Sequence, residues 1–194
     1  MILKNMICVA GFCLITLSGQ AAGKPEVPPY KDKTVSIEKR VDDLMGRMTL
    51  REKGLQLQNR GAGRLDEIDR IFNGESYGCT HEMGTTAAEC AAMYKELQQY
   101  MLTKTRLGIP IITSAEGIQG ILQNNCTLFP HALAQGSTFN PALIQRMTEA
   151  AGEEAKVIGI HQILSPVLDI ARELRWGRVE ETFGEDPYLI SEMG

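Results

Sequence analysis

Three arginines, Arg172, Arg175 and Arg178, stand at intervals of three around the only tryptophan of the chain, Trp176, within and just before the run LRWGRVEETFGEDP at 174–187. Four carboxylates, Glu180, Glu181, Glu185 and Asp186, follow Arg178 within eight positions. On one helix the arginines would share a face and form a solvated stripe, but Gly177 and the turn-compatible residues around it argue against a continuous helix. A loop is the alternative, and a loop can aim a guanidinium fork at neighbouring oxygens, giving two parallel hydrogen bonds per fork. Two more acidic groups complete the set. Glu116 follows the isoleucine-rich run LGIPIIT at 107–113, and Asp169 closes the run IHQILSPVL at 160–168. Both runs read as strands, and in a parallel α/β sheet binding residues collect at the carboxyl ends of strands. Position alone leaves blander roles open, a helix cap for Glu116 and bonds to loop amides for Asp169. His81, His131 and His161 stand beside no plausible nucleophile and read as packed or surface residues.

The elements that must position these groups are marked by apolar spacing and by caps. Ile37, Val41, Leu44 and Met48 fall at the spacing of an amphipathic helix. Thr49 and Glu52 form a capping box that starts a second helix. Residues 60–85 loosen into a segment rich in Gly and polar residues, with a short helix expected at Leu65, Ile68 and Ile71 and a turn at Asn73-Gly74. A second box, Thr86 and Glu89, opens a helix expected over 87–106, with Cys90, Tyr94, Leu97 and Met101 on its inner face. The stretch 128–139 is ambiguous. Asn140 as N-cap and Pro141 in the first turn launch another helix, whose buried side is expected at Leu143, Met147, Ala150 and Val157 before Gly159 ends it. Helices alternating with strands buried on both faces predict an α/β fold with a parallel sheet, since parallel strands require crossover connections.

Composition narrows the function classes. The 194 residues are 43% hydrophobic and 23% charged with a net charge of −4, so no basic field exists to gather a nucleic acid or an anionic membrane. Residues 1–23 carry Lys4, an apolar stretch from Met6 to Leu17 and small residues from Gly19 to Gly23, the layout of a secretory signal peptide. That apolar stretch is shorter than the about 20 residues a membrane span needs, so the expected location is periplasmic or extracellular, with no transmembrane segment after cleavage. Residues 24–35, with Pro25, Pro28 and Pro29, read as an extended lead-in to a body at 36–194. Beyond the leader, Cys79, Cys90 and Cys126 permit at most one disulfide, and their spacing does not suggest zinc. Asp186 and Pro187 open a final helix only eight positions before Gly194, which leads us to expect a fragment of a longer protein.

The runs RVDDLMGRMTLREK, RLGIPIITSAEGIQG, LFPHALAQGSTFNPALI and EEAKVIGIHQILSPVLDIARELRWGRVEETFGEDPYLISEMG together resemble, in order and spacing, the amino-terminal part of glycoside hydrolase family 3 over residues 40–194. The R-W-G-R-x-x-E-x-F-G-E-D-P segment is the specific part of the likeness. The resemblance implies an α/β fold, the amino-terminal portion of an incomplete (β/α)8 TIM-like barrel. It implies a secreted, retaining, exo-acting β-glycosidase of β-glucosidase or β-xylosidase type that needs no cofactor and takes an oligosaccharide or an aryl or alkyl glycoside. Glu116 and Arg178 match the family residues that grip the terminal sugar, while Arg175 and Trp176 match loop-shaping positions, with Asp169 and Glu181 as partners for the guanidiniums. A glutamate at 116 resembles the β-xylosidase-like branch, where many β-glucosidases carry aspartate. No catalytic residue is assigned within 1–194: the family's nucleophilic aspartate, its acid/base and its Lys-His pair match nothing in this chain. The implication is an inactive piece of an active enzyme, with a non-catalytic truncated product or carbohydrate-binding remnant as the alternative. An unrelated barrel enzyme for phosphorylated metabolites is disfavoured, because no Gly-rich phosphate loop is present.

Overall fold

The structure is a computed structural model that describes residues 27–81 and 86–194; the expected signal peptide lies outside the described residues. Two compact units divide the chain, Met1–Arg47 and Met48–Gly194. In the first, Pro28 is extended and a 3-10 turn follows at Pro29–Lys31. The lead-in is thus tied locally: the Tyr30 N–H donates to Asp43 Oδ2 at 3.2 Å, and Arg40 Nε donates to the Tyr30 carbonyl at 3.1 Å. Helix α1, Ile37–Arg47, carries the expected apolar stripe, yet none of its residues is buried, and Ile37 is 70% exposed.

The second unit begins at the first capping box. Thr49 caps α2, Leu50–Gln56, by accepting from the Glu52 N–H, and the Glu52 carboxylate accepts in return from the Thr49 N–H. Glu52 also receives Arg106 at 2.6 and 2.8 Å, which ties α2 to the segment that leads into the central strand. A 3-10 turn at Leu65–Glu67 runs into α3, Ile68–Phe72, and Asn73 and Gly74 both take positive φ, the turn expected there. Helix α4 covers Ala87–Lys104 behind its Thr86–Glu89 box, and Cys90, Tyr94, Leu97 and Met101 are all buried on the face that spacing assigned.

Three parallel strands form one sheet in the order β1-β2-β3. Strand β1, Cys79–His81, has no counterpart in the sequence reading, which left 60–85 as a loosened segment. Its backbone is satisfied on both edges: Cys79 bridges Asn59 on one side, and the Arg60 N–H donates to the Cys79 carbonyl at 2.9 Å, while β2 pairs on the other. Strand β2 runs Ile112–Glu116 rather than 107–113. Gly108 holds φ 63°, Pro110 has no N–H, and the amide of Gln98 on α4 clamps both backbone groups of Ile111, donating to its carbonyl at 2.5 Å and accepting from its N–H at 3.2 Å. Ile111 therefore has no group left for a ladder, and Pro110 has no N–H to offer one. Strand β3 is likewise short, Gln162–Leu164, because Pro166 cannot donate to extend it. It is not buried on both faces as expected, since Gln162 and Leu164 are exposed and β3 sits at the end of the sheet order.

Between β2 and β3 come α5, Ala132–Gly136, and α6, Pro141–Ile158, which starts at the Asn140 cap and ends on left-handed Gly159, φ 92°. The buried side of α6 is Ile144, Ala151, Ala155 and Ile158, one position on from the expected stripe, and Val157 is 85% exposed. The extra apolar residues of this helix allowed two overlapping stripes, and packing on α4 and the sheet selects one. The last helix, α7, is Pro187–Met193, capped by Asp186. One buried cluster gathers α4 with Leu55, Phe72, Ile111, Ala115 and Ile158; a second joins Ala132, Ile144, Phe183, Ile190 and Met193. This second cluster seats the arginine-rich segment on α5, α6 and α7.

Candidate functional site

Two side chains meet where β1 and β2 end. His81 closes β1 and pairs in register with Ser114, so Glu116, two residues further along β2, stands just past it on the same edge of the sheet. Buried Ser114 donates its hydroxyl to the Thr80 carbonyl at 2.9 Å, and His81 Nδ1 lies 3.3 Å from the same Oγ. The other ring nitrogen, Nε2, is 3.9 Å from Glu116 Oε1, with the two side chains 36% and 38% exposed. Tyr94, buried on α4, donates to the Ser114 carbonyl at 3.3 Å and steadies β2 from below.

The segment after β3 approaches this edge as a loop, as Gly177 predicted. Its base is closed where Val167 bridges Thr182 and the Ala171 N–H donates to the Gly184 carbonyl at 3.0 Å. Thr182 and Phe183 are buried, and a 3-10 turn at Val179–Glu181 carries the acidic partner of Arg178. Arg178 Nε donates to both Glu181 oxygens at 2.9 Å, and Nη2 donates to Oε2 as well. These bonds raise the pKa of Arg178 first of all; the Glu181 charge and, further down, the charges of Glu116 and Asp169 add to the rise. Glu181 is lowered in turn, chiefly by the hydrogen bonds from Arg178, with Arg178 and His131 charges assisting. Glu116, Arg178, Asp169, Glu181 and His131 thus share one electrostatic neighbourhood.

Two expectations about the loop need correction. Asp169 does not close a strand, because β3 stops at Leu164; it reaches Arg178 through charge alone. Arg175 is held by neither Asp169 nor Glu181. Its Nε and Nη2 donate to the two oxygens of Glu173 at 2.9 and 2.8 Å, and its backbone N–H donates to Oε1 at 2.9 Å, a local knot on an 89% exposed side chain. Those bonds bring the Glu173 carboxyl down to about 2. Trp176 is half-buried and donates its backbone N–H to the Glu173 carbonyl at 3.0 Å, so it belongs to the same turn. Arg172 is exposed.

The sequence reading set His81 aside, and its place beside Glu116 became visible only with β1 in hand. His161 is an exposed residue tied down at one ring nitrogen: its Nδ1 lies 2.7 Å from the hydroxyl of buried Thr113, which donates to the Gly159 carbonyl at 2.6 Å. A cavity of about 560 Å³ lies between α5, α6, α7 and β3, lined by Ile144, Met147, Ile163, Phe183 and Met193 among others. Its lining is mixed, with Gln135, Gln145, Thr148, Ser165, Glu181 and Glu192 beside the apolar residues, and it meets the acidic and basic cluster at Gly117 and Glu181.

A strand-end carboxylate faced by an arginine loop is one geometry; relatives give it a family. The model of the glycosyl hydrolase family 3 N-terminal domain matches residues 49–194, well over half of the chain. The chain belongs to glycosyl hydrolase family 3. It is 33% identical over 184 residues to beta-glucosidase C of Emericella nidulans, covering 86% of this chain and 30% of that protein. It is 31% identical over 190 residues to the periplasmic beta-glucosidase/beta-xylosidase of Dickeya chrysanthemi, covering 85% of this chain and 28% of that one. Among solved structures, the beta-glucosidase of Listeria innocua in complex with glucose superposes with a TM-score of 0.67 at 30% identity, covering 82% of this chain and 23% of that one. The chain spans less than a third of the length of each of these family 3 relatives. Its mixed α/β architecture resembles the family 3 N-terminal domain. No helix among the described residues is long and apolar enough to cross a membrane.

Proposed function

We propose that this chain supplies the wall of the terminal-sugar pocket in a retaining, exo-acting β-glycosidase of glucosidase or xylosidase type. Glu116 accepts from sugar hydroxyls, and Arg178, its fork fixed by Glu181, donates to their oxygens. Arg175, Trp176 and Glu173 shape the loop that carries Arg178, and Asp169 keeps the pocket's charge balanced around that guanidinium. The observation that carries this reading is the placement of Glu116 at the carboxyl end of the central strand, within the electrostatic reach of Arg178. A pair of vicinal hydroxyls can donate to the carboxylate and accept from the guanidinium at once, so neither protein group need be desolvated without a partner.

Breaking the glycosidic bond with retention takes a nucleophilic carboxylate and an acid/base group about 5–5.5 Å apart. Family resemblance assigns both to segments beyond those matched here, and we read β1, β2 and β3 as part of a (β/α)8 barrel that those segments complete. Parallel order and the likeness to family 3 structures support that reading. Export to the periplasm or beyond is supported by the leader-like composition of 1–23 and by the periplasmic relative. The full-length protein, assayed on aryl β-glucosides and aryl β-xylosides, is expected to hydrolyse at least one, with glucose or xylose as a competitive inhibitor. Glu116→Ala and Arg178→Ala should weaken that inhibition; unchanged inhibition constants in both would refute the site. Glutamate at 116 favours the xyloside, and a strong glucoside preference would end that part of the proposal.

A further inference from the structure

We infer that His81 is a second sugar-contacting residue of this site, its Nε2 accepting one hydroxyl of a vicinal diol whose neighbouring hydroxyl is taken by Glu116; this rests on the sugar-pocket reading above. The argument starts from the Ser114 hydroxyl. It has one proton, and that proton goes to the Thr80 carbonyl at 2.9 Å. Only its lone pairs remain for His81 Nδ1, 3.3 Å away, so this bonding assigns the neutral ring its proton on Nδ1. Nε2 is then an acceptor, and backbone pairing holds it in place, because His81 and Ser114 are register partners on adjacent parallel strands.

Nε2 faces Glu116 Oε1 across 3.9 Å, beyond direct hydrogen-bond reach. Two acceptors at that spacing, each about a third exposed, are matched by a ligand that offers two adjacent O–H donors. A vicinal diol on a pyranose is such a ligand, one hydroxyl donating to each acceptor. A single hydroxyl has one proton and serves only one of them. The site would thus select for an intact diol, where Glu116 alone would select only for a hydroxyl.

Two substitutions separate the nitrogens of the ring. In His81→Asn the side-chain amide takes the place of Nδ1 and can still donate to Ser114, but nothing stands where Nε2 was. In His81→Gln the amide reaches the Nε2 position. Competitive inhibition of the full-length protein by glucose, 3-deoxyglucose and 4-deoxyglucose gives the readout, with matching thermal melts as the check on folding. His81→Asn should weaken glucose by about three- to tenfold, the range one neutral hydrogen bond spans, and His81→Gln should recover most of that loss. One of the two deoxy sugars should bind wild type and His81→Asn alike, since it lacks the hydroxyl that Nε2 accepts. If glucose inhibits wild type and His81→Asn equally, the inference falls while the sugar pocket stands. If neither glucose nor xylose inhibits or binds either protein, the pocket itself falls and takes His81 with it. Should His81→Asn fail to fold, wild-type affinities for glucose and its 2-, 3- and 4-deoxy forms still decide: a diol contact requires affinity to drop on removal of each of two adjacent hydroxyls, and a drop at no adjacent pair overturns it.

Discussion

Gly136, the last residue of α5, is a point where a single methyl group should be felt in the arginine loop. A Cβ built there lies 2.5 Å from the Phe183 carbonyl oxygen and 3.1 Å from its carbon, both backbone atoms. Ordinary contact begins at 3.4 Å, so Gly136→Ala is about 0.9 Å short of room, and no flexible side-chain end is available to yield. Overpacking of this kind costs about 1–3 kcal/mol. The displaced backbone is two residues past Glu181, which holds Arg178 in its fork, so the shift passes to the guanidinium and leaves Glu116 on β2 where it was. A misplacement of about 1 Å in a positioned group can cost on the order of a hundredfold in turnover. Gly136→Ala should therefore lower both the melting midpoint and kcat/KM of the full-length protein, and weaken inhibition by glucose. Gly152→Ala is the matched control: it sits inside α6 with nothing within 4 Å of its Cβ, so it should gain about 0.4–1 kcal/mol and leave kinetics alone. Equal melts for the two variants would refute the steric argument. A lower melt with unchanged sugar inhibition would refute the coupling of α5 to the arginine loop.

Arg178→Ala should weaken glucose or xylose inhibition by at least about tenfold, whereas Arg175→Ala and Arg172→Ala should change it less than about twofold, because Arg175 is spent on Glu173 at an exposed turn; equal effects across the three would remove Arg178 from the pocket. Glu52 is held at about 2 against an ordinary 4.5, first by the hydrogen bonds from Arg106 and then, against the opposing effect of burial, by those from Thr49. A carboxyl lowered on folding contributes stability that is complete above its unfolded pKa and is lost as pH falls through the folded one, so the loss should run from about pH 4.5 down to about pH 2. Glu52→Ala should cost about 1 kcal/mol for the cap with under about 1 kcal/mol more for the exposed ion pair, and its penalty should shrink across that window in denaturation series at stepped pH. A penalty unchanged from pH 7 to pH 2 would contradict the assignment. Thr113→Val should lower stability by about 1 kcal/mol, since it removes from a buried position the hydroxyl that donates to the half-buried Gly159 carbonyl and bonds exposed His161; a neutral result in thermal melts would contradict that.

What could be read without coordinates follows a physical divide. Local chemistry was legible: both capping boxes, the Asn140 and Asp186 caps, the Asn73-Gly74 turn and the left-handed Gly159 each depend on residues within a few positions of one another, and each stands where spacing put it. Strand boundaries were not, because they depend on partners far along the chain. Ile111 looks like a strand residue, yet Gln98 has already taken its backbone groups. Cys79–His81 looks like loop, yet Asn59 and β2 supply both edges of a ladder. The same divide runs through the site. Resemblance pointed to Glu116 and Arg178 and offered Glu181 as a partner for the guanidiniums, and the bond between Arg178 and Glu181 closes over three residues. Asp169 and Glu181 were offered for the guanidiniums together, and Arg175 takes neither: Glu173, two residues away, accepts three bonds from it at once. His81 is the opposite case. Nothing near it in sequence shows its surroundings, which come from a strand register that pairs it with Ser114 and sets its Nε2 3.9 Å from Glu116, 35 positions further along the chain. A histidine with no local partner is therefore not thereby inert: in a parallel sheet the residue that decides its tautomer sits on the next strand, and only the register says which one it is.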